Sequence, residues 1–331
     1  MRIQDHQMGR IFENMDNKQN NITEAIIKTI AFFDLFDYPL TSDEIWKFLW
    51  LPDGAVNMTE ADIAAALANL AGMVETRDGF YFLDGRQEII DKRKASRPHE
   101  EKKIRIARRL AGCLKYLAGV KMVAVVNSVV LGSVKQDSDI DLFIVTAAGR
   151  LWLVRFVVTL FAQLLGIRRH GNQISDRLCL SFYVTEDQLD LSAVRYPTDP
   201  YFYYWLATLQ PIYDDGCYEK FIAANRWVSD RLPNFSLKDL KSDLLVRDNR
   251  MSKVFQTVDG WCFYSFFGES QERLARVFQK RKMARNLSSL ASEPDSRVII
   301  SDTMLKFHES DRREEFRRAW EEKYRLILAK L

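Results

Sequence analysis

The sequence predicts an α+β fold in three parts, and three observations carry that prediction. Helical periodicity followed by an Asp-Gly turn marks residues 21–95. Val-rich apolar runs of strand length mark residues 96–195, and aromatic and charged residues at helical spacing dominate residues 196–331. A length of 331 residues suits more than one domain, at about 100–200 residues each. Residues 1–20 are polar, lack the apolar stretch of a secretory signal, and are expected to form a flexible tail.

A first helix is signalled by "NITEAIIKTIAFFDLF", where Asn21 or Thr23 can cap and Ile26, Ile27, Ile30 and Phe33 recur at helical spacing. A second starts at "TSDEIWKFLW", capped by Thr41 or Ser42, with Glu44 at capping-box distance from Thr41. A third, "TEADIAAALANLAG", is capped by Thr59. Two β-prone runs then flank Asp78-Gly79, a strong hairpin signal. Three helices and a hairpin in this order resemble a winged-helix domain, and the resemblance implies duplex DNA binding through the third helix. That helix carries Glu60 and Asp62 and no Lys or Arg over residues 59–72, so phosphates would repel it. Packing or protein-partner binding is the expectation for this winged-helix-like domain.

Residues 91–109 hold nine basic and three acidic residues, running from an expected linker near Ser96–Pro98 into a helix. They read as a solvated helix face or as a basic rim for a triphosphate or RNA.

The central part reads as strand "KMVAVVN", a turn, strand "DLFIVT", an apolar helix over 150–167 and strand "RLCLSFYV" over 177–184. The helix contains Arg155 and Gln163 and is shorter than the roughly 20 residues that span a bilayer, so a buried helix is expected and no membrane partner. Between the first two strands lies "NSVVLGSVKQDSDIDL", with Asp139 and Asp141 two apart at a strand start. Such residues point to the same side of a strand and can share metal ions.

These residues resemble the polymerase-β-like nucleotidyltransferase superfamily, marked by a Gly-Ser dipeptide after the first strand, a further glycine, and Ser-Asp-x-Asp-Leu. Gly132-Ser133 matches the dipeptide with six positions from Ser133 to Asp139; Asn127-Ser128 matches it with eleven from Ser128 to Asp139, Gly132 then being the later glycine. The second alignment places Ser128 at the strand end, with Asn127 standing in for glycine. The resemblance implies a mixed-sheet nucleotidyltransferase core and Mg²⁺ held by Asp139 and Asp141. It implies an NTP bound through Asn127, Ser128, Gly132 and Ser138, with Arg150 or Arg155 neutralising phosphate charge.

The family's third carboxylate belongs on the next strand, and "RLCLSFYVT" contains no Asp or Glu. Asp176 would complete the metal set only if that strand begins earlier; Glu186 and Asp187 lie beyond it.

The net charge of +3 is too balanced to imply a nucleic-acid or membrane partner by itself. Cys113, Cys179, Cys217 and Cys262 form no CxxC pair, which fits a reducing cytoplasm and suggests no zinc site. In the C-terminal helical region Tyr201, Trp205, Leu209, Phe221 and Trp227 are expected in the core, while Lys280, Arg281, Lys282 and Arg285 form a second basic cluster. The lone His170 and His308 receive no catalytic role.

The expected activity is transfer of a nucleoside monophosphate from an NTP to a hydroxyl on a small molecule, protein or nucleic-acid end, releasing pyrophosphate. The alternatives are a degenerate nucleotidyltransferase-fold binding or scaffold protein and, with an acidic third helix against it, a DNA-binding regulator.

Overall fold

The computed structural model describes residues 20–51, 58–132, 134–196, 198–235, 241–263, 265–287, 298–307 and 311–330. The expected tail up to residue 19, Ser133 and His308 lie outside the described residues, as do the side chains of Cys262 and Arg285. The fold is α+β, with ten α-helices and two sheets, one of them mixed, among the described residues.

Helix α1 covers 20–34, α2 Ser42–Lys47 and α3 Glu60–Ala68. Thr41 with Glu44, and Thr59 with Asp62, close reciprocal capping boxes that satisfy the first free amides of α2 and α3. Strands β1 (Leu40–Thr41), β2 (Val74–Arg77) and β3 (Phe80–Leu83) pair in the order β1-β3-β2. The β2–β3 turn has φ of 55° at Asp78 and 78° at Gly79, the left-handed pair that a two-residue hairpin requires.

Helix α4 runs unbroken from Glu88 to Leu114, through Pro98, where the sequence suggested a linker and a boundary at residue 95. Two residues before the proline, the Ser96 hydroxyl lies within hydrogen-bond distance of the Gly132 carbonyl (2.7 Å) and the Arg93 carbonyl (3.0 Å). Both ends of α4 are anchored: Ile89 and Ile90 pack on Phe82, and Ala107, Leu110 and Leu114 pack on the large sheet. The basic run 91–109 is largely consumed by this anchoring, since Lys92 pairs with Asp37, Arg93 with Glu44, Lys94 with Asp78, and Lys102 and Lys103 with Asp176.

The large sheet holds β4 (Val120–Val125), β5 (Ile140–Thr146), β6 (Leu178–Thr185), β7 (Gln210–Asp214), β8 (Val298–Ile300) and β9 (Met304–Phe307) in the order β7-β4-β5-β6-β9-β8. Only β5 and β6 run parallel, joined by helix α5 (Leu151–Leu164). Both faces are covered, which is why the central strands are apolar throughout. Val123, Val125, Leu142 and Ile144 face α4 and α5, together with α9 (Phe266–Leu287). Met122, Ala124, Phe143 and Val145 face the opposite layer: α1, α6 (Pro200–Thr208), α7 (Tyr218–Ala224) and Trp320 of α10 (Arg313–Leu328). Helix α8 (Arg250–Phe263) packs on α9.

The C-terminal region is therefore not purely helical: β7 forms one edge of the sheet, and β8 and β9 the other. These strands are three to five residues long, too short for a two-residue period to stand out, and Pro211 in β7 is tolerated because that strand is an edge. No helix among the described residues is long and apolar enough to cross a membrane.

Candidate active site

Asp139 precedes β5 and Asp141 is its second residue, so the carboxylates project to one side of the sheet. Cys179 is the neighbour of Asp141 in the parallel β5–β6 register. One ligand atom from each of Asp139, Asp141 and Cys179 falls within 4.8 Å of the other two.

Both carboxylates are positioned by an identifiable partner. Asn127 opens the turn two residues after β4 with a φ of 60°, a left-handed conformation that asparagine tolerates better than most residues. From there its Nδ2 donates to Asp141 Oδ2 (2.8 Å), and its Oδ1 accepts from the Tyr201 hydroxyl (3.0 Å). An asparagine thus meets the backbone demand of the turn while adding a side chain that orients a carboxylate. Asp139 Oδ2 accepts from an Arg169 guanidinium nitrogen at 2.5 Å. Burial, reinforced by the neighbouring Asp139 charge, pushes the Asp141 carboxyl up to about 6. Burial and then the Asp141 charge push the Cys179 thiol up to about 12.

The cluster opens into a cavity of about 1110 Å³. Asn127, Asp139, Asp141, Cys179, Arg169 and Tyr201 line its sheet side. The Tyr201 ring stacks on Phe316 (5.2 Å between centroids, 9° between planes), while Phe202, Tyr203, Tyr204 and Trp205 of the same aromatic run are buried. Of the expected core residues, Trp205, Leu209 and Phe221 are buried and Tyr201 and Trp227 half-buried, with Tyr201 and Trp205 both bordering the cavity.

Of the residues singled out in the sequence, Asn127, Asp139, Asp141 and Arg155 line the cavity, and Ser128, Gly132, Ser138, Arg150 and Asp176 are not among its lining residues. Gly132 instead abuts the Tyr38 ring: its φ is 66°, and a Cβ there would overlap Cε2 of that ring. The Ser138 hydroxyl donates to the Lys135 carbonyl (2.9 Å), and the Ser138 carbonyl accepts from Lys103 Nζ (2.6 Å). Arg150 donates to the Gly149 carbonyl.

Asp176 is held away from the carboxylate pair by Lys102 (2.6 Å) and by Lys103 (2.8 Å), whose side chain is 0% exposed. Burial raises the Asp176 carboxyl, but the two lysine hydrogen bonds outweigh it and leave the group below the usual carboxylate range. Asp176 is the counter-ion of a buried lysine, and the third position of the cluster belongs to Cys179.

Cys179, Arg169 and Tyr201 were not singled out as site residues in the sequence. A search of β6 for acids passes over a thiol at the right register, and Arg169 and Tyr201 arrive from segments 30 or more positions away from their partners.

The donor set fits a divalent cation in part. Two adjacent carboxylates are the hard oxygen ligands that Mg²⁺ prefers, whereas a protonated thiol supplies neither charge nor a hard donor. In comparisons with protein-family models, curated proteins and solved structures, nothing matches this chain.

Proposed function

We propose that the chain is a Mg²⁺-dependent nucleotidyltransferase of the polymerase-β-like kind, moving a nucleoside monophosphate from an NTP to a hydroxyl acceptor with release of pyrophosphate. The observation that carries this reading is the Asp139–Asp141 pair at the start of β5, oriented by Asn127 and opening into a large cavity rich in arginine. Asp139 and Asp141 would hold Mg²⁺, which when bound neutralises charge at the reacting phosphate. Asn127 fixes Asp141, Tyr201 fixes Asn127, and the Tyr201–Phe316 stack offers an aromatic edge to a nucleobase. In the reaction the acceptor oxygen bonds to the α-phosphorus, the bond to the pyrophosphate oxygen breaks, and the hydroxyl proton passes to solvent.

In this reading residues 20–83 form a winged-helix-like module that contacts protein rather than DNA, since α3 presents acids and no bases. The compartment proposed is the cytoplasm, in keeping with free thiols at Cys113, Cys179 and Cys217.

A second reading, a binding or scaffold protein that has kept the fold, is favoured by one observation. The Arg169 guanidinium already neutralises Asp139, and Cys179 stands beside Asp141 where a further acid would strengthen a metal site.

The two readings separate in an assay with α-phosphate-labelled NTPs, Mg²⁺ and a cell extract as the acceptor source. Transfer of label by the wild type and its loss in Asp139→Asn/Asp141→Asn supports the enzyme. Absence of transfer with any of the four NTPs supports the scaffold.

A further inference from the structure

The acids lining the cavity are each engaged: Asp139 by Arg169, Asp311 by Arg313 and Lys306, and Asp141 by Asn127. The part of the cavity wall lined by α5, by α9 and by Arg168 just beyond α5 is different. Arg155 donates to the Gln279 amide oxygen (2.5 Å), and its guanidinium lies over the rings of Phe307 (5.1 Å) and Tyr183 (5.9 Å). Its Nε is buried with no hydrogen-bond partner. Arg168, close enough to repel Arg155, donates to the Gln163 amide oxygen (3.1 Å). Lys282 lines the same wall and is exposed. Among the described residues none of these three cations has a carboxylate partner.

A buried cation without a counter-ion costs the fold several kcal/mol. That cost falls when an anion enters the cavity, and the planar guanidinium of Arg155, which lines it, is suited to phosphate oxygens. Beside these cations the wall is apolar, with Phe156 42%, Leu160 46% and Phe278 61% exposed. Phe156 and Phe278 meet edge to face across α5 and α9, 6.5 Å between centroids. A ligand filling this wall therefore carries a phosphate and an apolar body, and a polyamine or other cationic compound would meet repulsion.

We propose that the α5–α9 wall is a second anion site that binds the phosphate group of an amphiphilic acceptor through Arg155, Arg168 and Lys282. Naming that ligand the acceptor rests on the transfer reaction proposed above; its binding does not.

The test is calorimetry of the full chain at low ionic strength with inorganic phosphate, hexyl phosphate, hexanoate and hexylamine, without metal or nucleotide. Hexyl phosphate is expected to bind more tightly than inorganic phosphate or hexanoate, and hexylamine not to bind. Arg155→Gln is expected to weaken hexyl phosphate by about tenfold or more, the loss of one hydrogen bond to a charged group. Lys282→Gln, at an exposed position where folding is not at risk, should weaken it severalfold. Asp139→Asn/Asp141→Asn, which removes negative charge from the same cavity, should not weaken it. Failure of hexyl phosphate to bind, or equal binding to wild type, Arg155→Gln and Lys282→Gln, overturns the site. Competition between hexyl phosphate and an NTP with Mg²⁺ overturns its assignment to the acceptor, because the wall would then be the triphosphate subsite. Hexyl phosphate binding with no nucleotide binding at all leaves the anion site standing and removes the transfer reaction instead.

Discussion

Cys179 lies directly beside Asp141 across the parallel β5–β6 pair, and its sulfur shares a 4.8 Å neighbourhood with the Asp139 and Asp141 carboxylates. A thiol pushed up to about 12 stays protonated at neutral pH, so this position contributes no charge to the cluster. Cys179→Asp adds a hard, charged ligand there. It is expected to tighten Mg²⁺ binding by roughly tenfold or more, as an added unit charge at contact distance implies. Cys179→Ser should leave it nearly unchanged. Direct Mg²⁺ titration of the three proteins checks this, and equal affinities would show that position 179 does not face the cation.

Gly132 connects the N-terminal module to the β4–β5 loop. Arg93 stacks on the Tyr38 ring (4.0 Å to its centroid), and the Tyr38 hydroxyl donates to Glu44 (2.9 Å), so the ring has little freedom to yield to a Cβ at position 132. Gly132→Ala should cost about 2–4 kcal/mol, the combined scale of left-handed strain and overpacking. In a Tyr38→Leu background the cost should fall towards the strain contribution alone. Urea denaturation of the four proteins tests this. An unchanged stability combined with lost nucleotide binding would return Gly132 to the triphosphate loop.

Glu44 ties the same junction to pH. Burial raises its carboxyl, but the paired hydrogen bonds from Arg93, both 2.7 Å, outweigh that and hold it below 4.5. Because the folded value is the lower one, this stabilisation is fully present above the unfolded value and is lost as pH falls through the folded value. As pH falls below 4.5 the wild type should lose stability more steeply than Glu44→Gln does. Parallel pH dependences would mean that the Arg93–Glu44 pair contributes nothing net.

Removing Asp176 should affect folding and not metal binding. Asp176→Asn leaves Lys103 buried without its carboxylate, a loss on the order of 3–5 kcal/mol. Thermal melting alongside Mg²⁺ titration separates the roles. A normal melting temperature with weakened Mg²⁺ binding would restore Asp176 as a metal ligand.

What could be read from the chain was local or carried by a short motif. The Thr41–Glu44 and Thr59 caps, the Asp78-Gly79 hairpin and the Asp139–Asp141 pair each lie within a few consecutive residues, and all appear in the structure. What escaped depends on contacts between distant segments. Pro98 suggested a break in α4, whose continuity rests on Ser96 meeting Gly132 and on anchors at both ends. Strands β7, β8 and β9 gain their form from the sheet edges they join. Asn127 stands at a position where the motif reads glycine, and its value lies in bridging Tyr201 and Asp141, which are distant in the chain.

The most direct measurement is thermal stability with each NTP, with and without Mg²⁺, for the wild type and for Asp139→Asn/Asp141→Asn. The expected result is a rise in melting temperature that requires both nucleotide and Mg²⁺ and disappears in the double variant. A rise of equal size in the double variant, or none with any NTP, would contradict a metal-dependent nucleotide site at Asp139 and Asp141.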